Sequence, residues 1–298
     1  MKRLITDKLV EWKNSSFRKP LLLKGARQVG KTYALLEFGK EYYDNVVYLH
    51  FEGNTETLNK IFAPDLNPKR IIEEISAYAK QTIFPHKTLI IFDEIQACEQ
   101  ALTSLKYFAE EANEYHIVAA GSLLGLAINR GNFSFPVGKV DMLTMYPLSF
   151  EEFLLSTNNE TLIEKIRESF ETFTPLADVY HNLALDLYKK YLVIGGYPAV
   201  VKTYLETENY DSVRAVQADI SDSYIADMTK YATPNETIRS IAIFNTLPSQ
   251  LAKENTKFQY AVIKSNARAK DYELSLQWLK AAGVVLENIK VTEGKLPL

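Results

Sequence analysis

The stretch LLLKGARQVGKTYALLEF, Leu21 to Phe38, constrains this chain more than any other: an apolar run halts at a glycine, crosses a short polar loop and resumes with helical spacing. Within it, Gly25-Ala26-Arg27-Gln28-Val29-Gly30-Lys31-Thr32 fits the pattern G-x-x-x-x-G-K-[ST]. Four fixed positions of this kind arise by chance in about one chain in a hundred of this length. Context gives the match its weight. LLLK supplies a strand before the loop and TYALLEFGK a helix after it. Backbone N–H groups of the loop and of the new helix then converge on one concavity, and the helix dipole adds partial positive charge there. A polyphosphate fits such a site. Glycines at 25 and 30 admit backbone angles and close approaches that a side chain would block. Lys31 is expected to reach the β- and γ-phosphates, and the Thr32 hydroxyl to ligate Mg²⁺.

Other short apolar runs follow at VVYLHF (46–51), TLIIFD (88–93), HIVAA (116–120) and KVDMLTM (139–145), separated by longer stretches with helical spacing. In PKRIIEEISAYAKQTIF, Ile71, Ile75, Tyr78, Ala79 and Thr82 fall three or four apart, and Pro68 stands where a helix start tolerates it. Runs that are apolar on both faces and alternate with helices predict an α/β fold, a parallel sheet flanked by helices. Ligands of such sheets sit beyond the carboxyl ends of the strands. There TLIIFDEIQ puts Asp93 and Glu94: Asp93 to hold Mg²⁺ through water beside Thr32, and Glu94 to orient or deprotonate the water that attacks the γ-phosphate. HIVAA ends in Gly121-Ser122, so Ser122 is a candidate contact for the γ-phosphate or the attacking water as well as a helix N-cap. The acid pairs Glu110-Glu111 and Glu151-Glu152 fall on helical segments and read as solvent-side caps.

After YPLSFEEF (146–153) the strand pattern stops and an all-helical region begins. Val213, Val216, Ile220, Tyr224 and Met228 share one face of an amphipathic helix from Asp211 to Tyr231, and IGGYPAV (194–200) marks a turn between helices. TPNE opens the last segment as a capping box: Thr233 as N-cap, Pro234 at the first helical position, Glu236 three residues after the cap. A helix to about Asn245, a short one from Pro248 and a third carrying Tyr272, Leu276 and Leu279 follow, the last stopped by Gly283. VVLENIKVTE (284–293) alternates like a strand, so three helices and a ribbon predict a winged-helix-like module. The resulting divisions are a core over 1–150, a helical region over 151–232 and the last module over 233–298.

Composition narrows the function classes. A formal net charge of -3 leaves no global positive field for nucleic acid or an anionic membrane. On the presumed recognition helix, Arg268 and Lys270 are offset by Asp271 and Glu273, a weak phosphate footprint. A single cysteine, Cys98, forbids an internal disulfide and favours a reducing compartment. No window approaches the roughly 18 consecutive apolar residues of a membrane helix, and the start lacks the apolar stretch of a secretory signal, so a cytoplasmic protein without membrane contact is expected. His50, His86, His116 and His181 lack the paired spacing of metal ligands.

With GARQVGKT, IIFDE, AAGS, YPLSFEEF and GGYP in this order, the chain resembles the predicted ATPases of the AAA+ superfamily. More narrowly, it resembles the bacterial and archaeal group whose ATPase domain precedes a C-terminal domain of unknown function. The resemblance implies ATP with Mg²⁺, with Gly25 to Thr32 as the Walker A loop, Asp93 and Glu94 as the Walker B acids and Ser122 at the sensor position. A guanine nucleotide is not expected, since Asn59-Lys60 is followed by Ile61-Phe62 rather than x-Asp. Two departures stand out. Many relatives carry Gly-Arg before the last core strand where this chain has Gly138-Lys139, and lysine lacks the planar fork of arginine. Arg27, Arg130 and Arg239 are therefore the candidates for charge stabilisation. Relatives also continue past KLPL into another domain, so the last module is expected to be truncated. The function these readings imply is a Mg-dependent ATPase acting as a switch or motor on its helical and C-terminal regions, with a homo-oligomer or protein as partner. The competing reading is a nucleotide-responsive DNA- or protein-binding regulator.

Overall fold

Each apolar run of the first half becomes a strand: β1 (Leu21–Lys24), β2 (Asn45–His50), β3 (Thr88–Asp93), β4 (His116–Gly121) and β5 (Asp141–Thr144). The structure, a computed structural model, describes residues 1–53, 55–122, 136, 138–254, 257–288 and 291. It divides into two units, Met1–Ser221 and Asp222–Leu298.

In the first unit the strands form one sheet in the order β2-β3-β4-β1-β5, and every pairing is parallel. Connecting parallel strands requires crossovers, and these are supplied by α2 (Lys31–Tyr42), α3 (Thr55–Phe62), α4 (Pro68–Ala79) and α5 (Glu99–Glu111), with α1 (Ile5–Asn14) preceding β1. β3 and β4 are buried along their whole length, which is why they read as continuous apolar runs rather than alternating ones. Asn67 caps α4 by accepting a hydrogen bond from the Lys69 N–H, with Pro68 in the first turn as expected. Phe51, Phe62 and Phe92 meet in tilted and edge-to-face pairs with centroids 5.6–5.9 Å apart, and join Leu49, Ile90 and Phe108 in the main core.

Register matters for the site. Lys24 pairs with Gly121 on one side and Thr144 on the other, and Asp93 pairs with Ala120, so the carboxyl ends of β1, β3, β4 and β5 finish along one edge. The chain leaves β1 for the far side of the sheet and returns through β3 to β4. The sheet order therefore switches direction at β1, which creates a crevice at that edge. The opposite edge is closed by packing: His116 opens β4 with its Nδ1 2.7 Å from the Tyr43 hydroxyl, and Trp12 and His86 lie edge-on to its ring.

Beyond β5 the first unit is helical, as its sequence pattern predicts: α6 (Phe150–Ser156), α7 (Glu160–Thr172), α8 (Asp178–Ile194) and α9 (Pro198–Thr207), then α10 (Tyr210–Tyr231), which crosses the boundary between the units. Val213, Ile220, Tyr224 and Met228 of α10 are buried.

The second unit contains α11 (Pro234–Leu251), α12 (Tyr260–Ile263) and α13 (Ala269–Ala281). The capping box at Thr233 forms, with Glu236 answering the N-cap backbone. Two expectations fail here. α11 runs unbroken through Pro248, because a proline this late removes a single N–H and leaves only one turn to kink. Residues 284–288 and 291 form no strand, and 289, 290, 292 and 293 lie outside the described residues. Gly283, at φ +72°, donates to the Lys280 carbonyl while Val284 and Val285 both donate to that of Leu279, so this backbone closes the helix end instead of joining a ladder. The C-terminal region is helical among the described residues, and the ribbon of a winged helix is not among them. No helix among the described residues is long and apolar enough to cross a membrane.

Candidate functional site

The loop between β1 and α2 is shaped by what its glycines touch. A Cβ on Gly25 would lie 2.2 Å from the Met145 carbonyl oxygen, where the chain leaves β5 and the Met145 N–H donates to the Lys24 carbonyl at 2.8 Å. Only glycine lets the two strand ends close up. Gly30, at φ +93°, is the N-cap of α2, and Gln28 at φ +64° completes the turn. The first N–H groups of α2 have no partner within the helix and belong to the loop's mouth.

Lys31 is buried, and its Nζ donates to the carbonyls of Gly25 at 2.9 Å and Ala26 at 2.8 Å. Desolvation lowers its pKa to about 8, against the opposing pull of Glu94 and Asp93, and Arg27 adds to the lowering. At neutral pH the ammonium therefore remains mostly charged.

Across the crevice, Asp93 ends β3 with one carboxylate oxygen, Oδ2, accepting from Thr32 Oγ1 at 2.7 Å and from the Tyr48 hydroxyl at 2.8 Å. Its Oδ1 accepts from the Glu94 N–H at 3.1 Å. Burial, then the Asp93 contact, pushes the Tyr48 hydroxyl well up, so it stays a proton donor. Glu94 adopts the left-handed conformation at φ +52°, which turns its side chain out of the strand direction. Its Oε2 accepts from Gln96 Nε2 at 2.5 Å and stands 3.5 Å from both the backbone nitrogen and Oγ of Ser122 at the end of β4. Lys31, Thr32, Asp93, Glu94 and Ser122 are thus brought to one edge of the sheet.

Arg27 lies in the loop itself. Lys139 pairs with Glu110 at 2.8 Å, just before the start of β5 and so at the edge of the sheet away from the loop. Arg239, in the second unit, lies over the Tyr272 ring. Arg130 lies outside the described residues. Among the described residues no group of three or more His, Cys, Asp or Glu side chains is arranged to hold a metal.

Several site residues escape sequence reasoning. Tyr48 and Gln96 carry no motif that marks them as partners of the acids. Glu152, expected as a solvent-side cap, is buried: it completes a capping box with Ser149 and forms an ion pair with Arg3 at 2.9 Å. Its partner Glu151 does face outward, toward Arg167. The S-x-x-E pattern of Ser149 to Glu152 was the available signal for the box, whereas nothing marks Arg3. GGYP and YPLSFEEF prove to be two halves of one joint. A Cβ on Gly196 would lie 2.2 Å from the Leu148 carbonyl, Leu148 donates to the Gly196 carbonyl at 2.6 Å, and the Tyr191 hydroxyl donates to that of Leu148 at 2.7 Å. Pro198, opening α9, then reaches Gly30 and lines with Met1, Arg3, Gln28 and Tyr33 a cleft of about 590 Å³ beside the loop.

Residues 17–154 match the family described as the AAA domain, and residues 185–296 match a domain of unknown function (DUF8612). Among solved structures, the Walker-type ATPase of Pyrococcus abyssi superposes with a TM-score of 0.57 at 14% identity, over 96% of this chain and 91% of that one. ORC2 of Aeropyrum pernix superposes with a TM-score of 0.43 at 13% identity, over 93% and 82% of the two chains. DnaA of Aquifex aeolicus gives 0.38 at 13% identity, over 93% and 85%. A comparison with curated proteins found no match. At 14% identity the likeness to the Pyrococcus protein is one of fold, and it extends through the helical region as well as the sheet. The loop, the strand order and the matched segment agree: residues 17–154 form an AAA domain with a P-loop NTPase fold, and residues 185–296 carry a domain of unknown function.

Proposed function

We propose that the chain binds ATP with Mg²⁺ and hydrolyses it to ADP and phosphate, using the free energy to shift its helical and C-terminal regions. The observation that carries this reading is the convergence at the crevice: Thr32 Oγ1 and Asp93 Oδ2 stand 2.7 Å apart beside the buried Lys31 ammonium, with Glu94 and Ser122 next to them. The donor set suits Mg²⁺, which takes one or two protein oxygens and fills its remaining positions with water and phosphate. Thr32 and Asp93 are the residues to hold it, and Mg-ATP supplies the transferable phosphoryl group.

What the chain contributes is position and charge. Lys31 turns its third N–H toward the β- and γ-phosphates and offsets the charge that builds on the transferred group. Glu94 would accept a hydrogen bond from the attacking water and take its proton as the water oxygen bonds to the γ-phosphorus and the bond to the bridging oxygen breaks, ADP leaving with that oxygen's electron pair. Gln96 and Ser122 hold that carboxylate in place, and Ser122 reports the loss of the γ-phosphate. The cleft lined by Tyr33, Gln28 and Pro198 takes the nucleoside. Movement between the core over 1–150 and the helical region over 151–232 is supported by the cleft, which is walled by the core's loop on one side and by α9 on the other.

The test is a steady-state assay of phosphate release by the purified full chain, with and without Mg²⁺, beside equilibrium binding of ATP. Saturable, Mg-dependent release together with ATP binding is expected. A chain that neither binds nor turns over ATP would sink the reading. A chain that binds ATP tightly without releasing phosphate would favour the nucleotide-responsive regulator.

A further inference from the structure

Arg3 lies fourteen positions before the matched AAA segment begins, yet its guanidinium is buried and reaches two distant segments of the chain, the loop at Val29 and the stretch from Tyr146 to Glu152. Nε donates to Glu152 Oε1 at 2.9 Å, Nη1 to the Val29 carbonyl at 2.8 Å and Nη2 to the Tyr146 carbonyl at 2.7 Å. Glu152 in turn accepts from the Leu4 N–H at 2.8 Å and the Ser149 N–H at 2.9 Å, so the buried carboxylate is as fully engaged as the guanidinium. Only a planar fork with several fixed N–H directions can serve three acceptors on three sides.

The Val29 contact has a consequence set by the peptide bond. In a trans peptide the C=O and the following N–H point in opposite directions within one plane. Holding the Val29 carbonyl on Arg3 therefore aims the Gly30 N–H the other way, away from Arg3. We propose that Arg3 is a positioning residue for nucleotide binding: it fixes the Val29–Gly30 peptide so that the Gly30 N–H faces the phosphates, and through Tyr146 and Glu152 it ties that peptide to the start of the helical region. This rests on the ATP-binding reading above. A role in stability alone is a poor reason to bury the pair, since apolar groups of similar volume commonly replace such pairs at no cost.

Two variants of the full chain test it. Arg3→Lys keeps the charge and the reach to Glu152 but cannot serve all three acceptors. Arg3→Gln with Glu152→Gln removes both charges together and leaves no unpaired ion behind. Equilibrium binding of Mg-ATP and Mg-ADP is measured well below each variant's melting temperature. Both variants are expected to bind both nucleotides about tenfold more weakly, and by the same factor for each, because a loop peptide serves phosphates common to the two. A purely structural role would lower the melting temperature while leaving both Kd values within about twofold of wild type, and that result overturns the proposal. So does failure of both variants to fold, which would assign Arg3 to stability. Should the unaltered chain bind neither nucleotide, the ATP-binding reading falls and this one with it; binding by the unaltered chain with unchanged variants removes only the role of Arg3.

Discussion

Two carboxylates at the end of β3 receive opposite treatment from their neighbours. Asp93 is buried and both its oxygens are engaged, by Thr32, by Tyr48 and by the next backbone N–H. Such a group is held in one orientation, fit to hold a cation. Glu94 is only half-buried, and its neighbours Gln96 and Ser122 all gather on one oxygen, Oε2. Among the described residues that leaves Oε1 for a water molecule and its proton. Glu94→Gln keeps the side chain's shape and its contacts but removes the base, so ATP should still bind while phosphate release falls roughly a hundredfold or more in a single-turnover assay. Unchanged turnover would take Glu94 out of that role. The acids themselves were legible in TLIIFDEIQ, because a buried strand that ends in two carboxylates has little other use for them. Tyr48 and Gln96 were not, since a hydrogen bond between neighbouring strands or across a single turn leaves no trace in spacing.

At the scale of elements, YPLSFEEF and GGYP were visible as motifs, and their order was informative. Their purpose was not. Tyr191, just before GGYP, donates to the Leu148 carbonyl 43 positions earlier, and the two motifs meet because Gly196 has no side chain to hold its backbone off Leu148. This joint seats Pro198 against Gly30 and gives the cleft its second wall. Gly196→Ala drives a methyl group into a backbone carbonyl that cannot swing aside. It should destabilise the chain by about 1–3 kcal/mol, read as a lower urea midpoint at unchanged m, and it should weaken ATP binding as the cleft opens. Wild-type stability in that variant would mean that the joint is not close-packed.

For the molecule as a whole, the sheet has a working edge and a closed one. His116 belongs to the closed edge, where burial, reinforced by Arg18, His86 and Lys13, depresses its pKa from 6.5 to about 3. Between those two values the unfolded chain binds a proton that the folded chain does not, so stability rises with pH across that window and falls as acid is added. One such group contributes a slope of at most about 1.4 kcal/mol per pH unit. Denaturant midpoints at pH 5 and pH 7 should therefore converge in His116→Phe relative to wild type. An equal pH dependence in the two would show that His116 is protonated when folded.

What the sequence determined by itself was the class of fold, a glycine loop between a strand and a helix, and the placement of Asp93, Glu94 and Ser122 at the ends of two neighbouring strands. All of these are local patterns: period, capping chemistry and glycine placement are fixed within a few residues of chain. Tertiary structure alone decided that Glu152 is buried on Arg3, that two motifs form one joint, and that the backbone from Gly283 to Val285 closes a helix instead of joining a strand. The physical reason is common to these. Each depends on which groups find hydrogen-bond partners once distant segments are brought out of water together, and that pairing is a property of the packed molecule rather than of any segment in it.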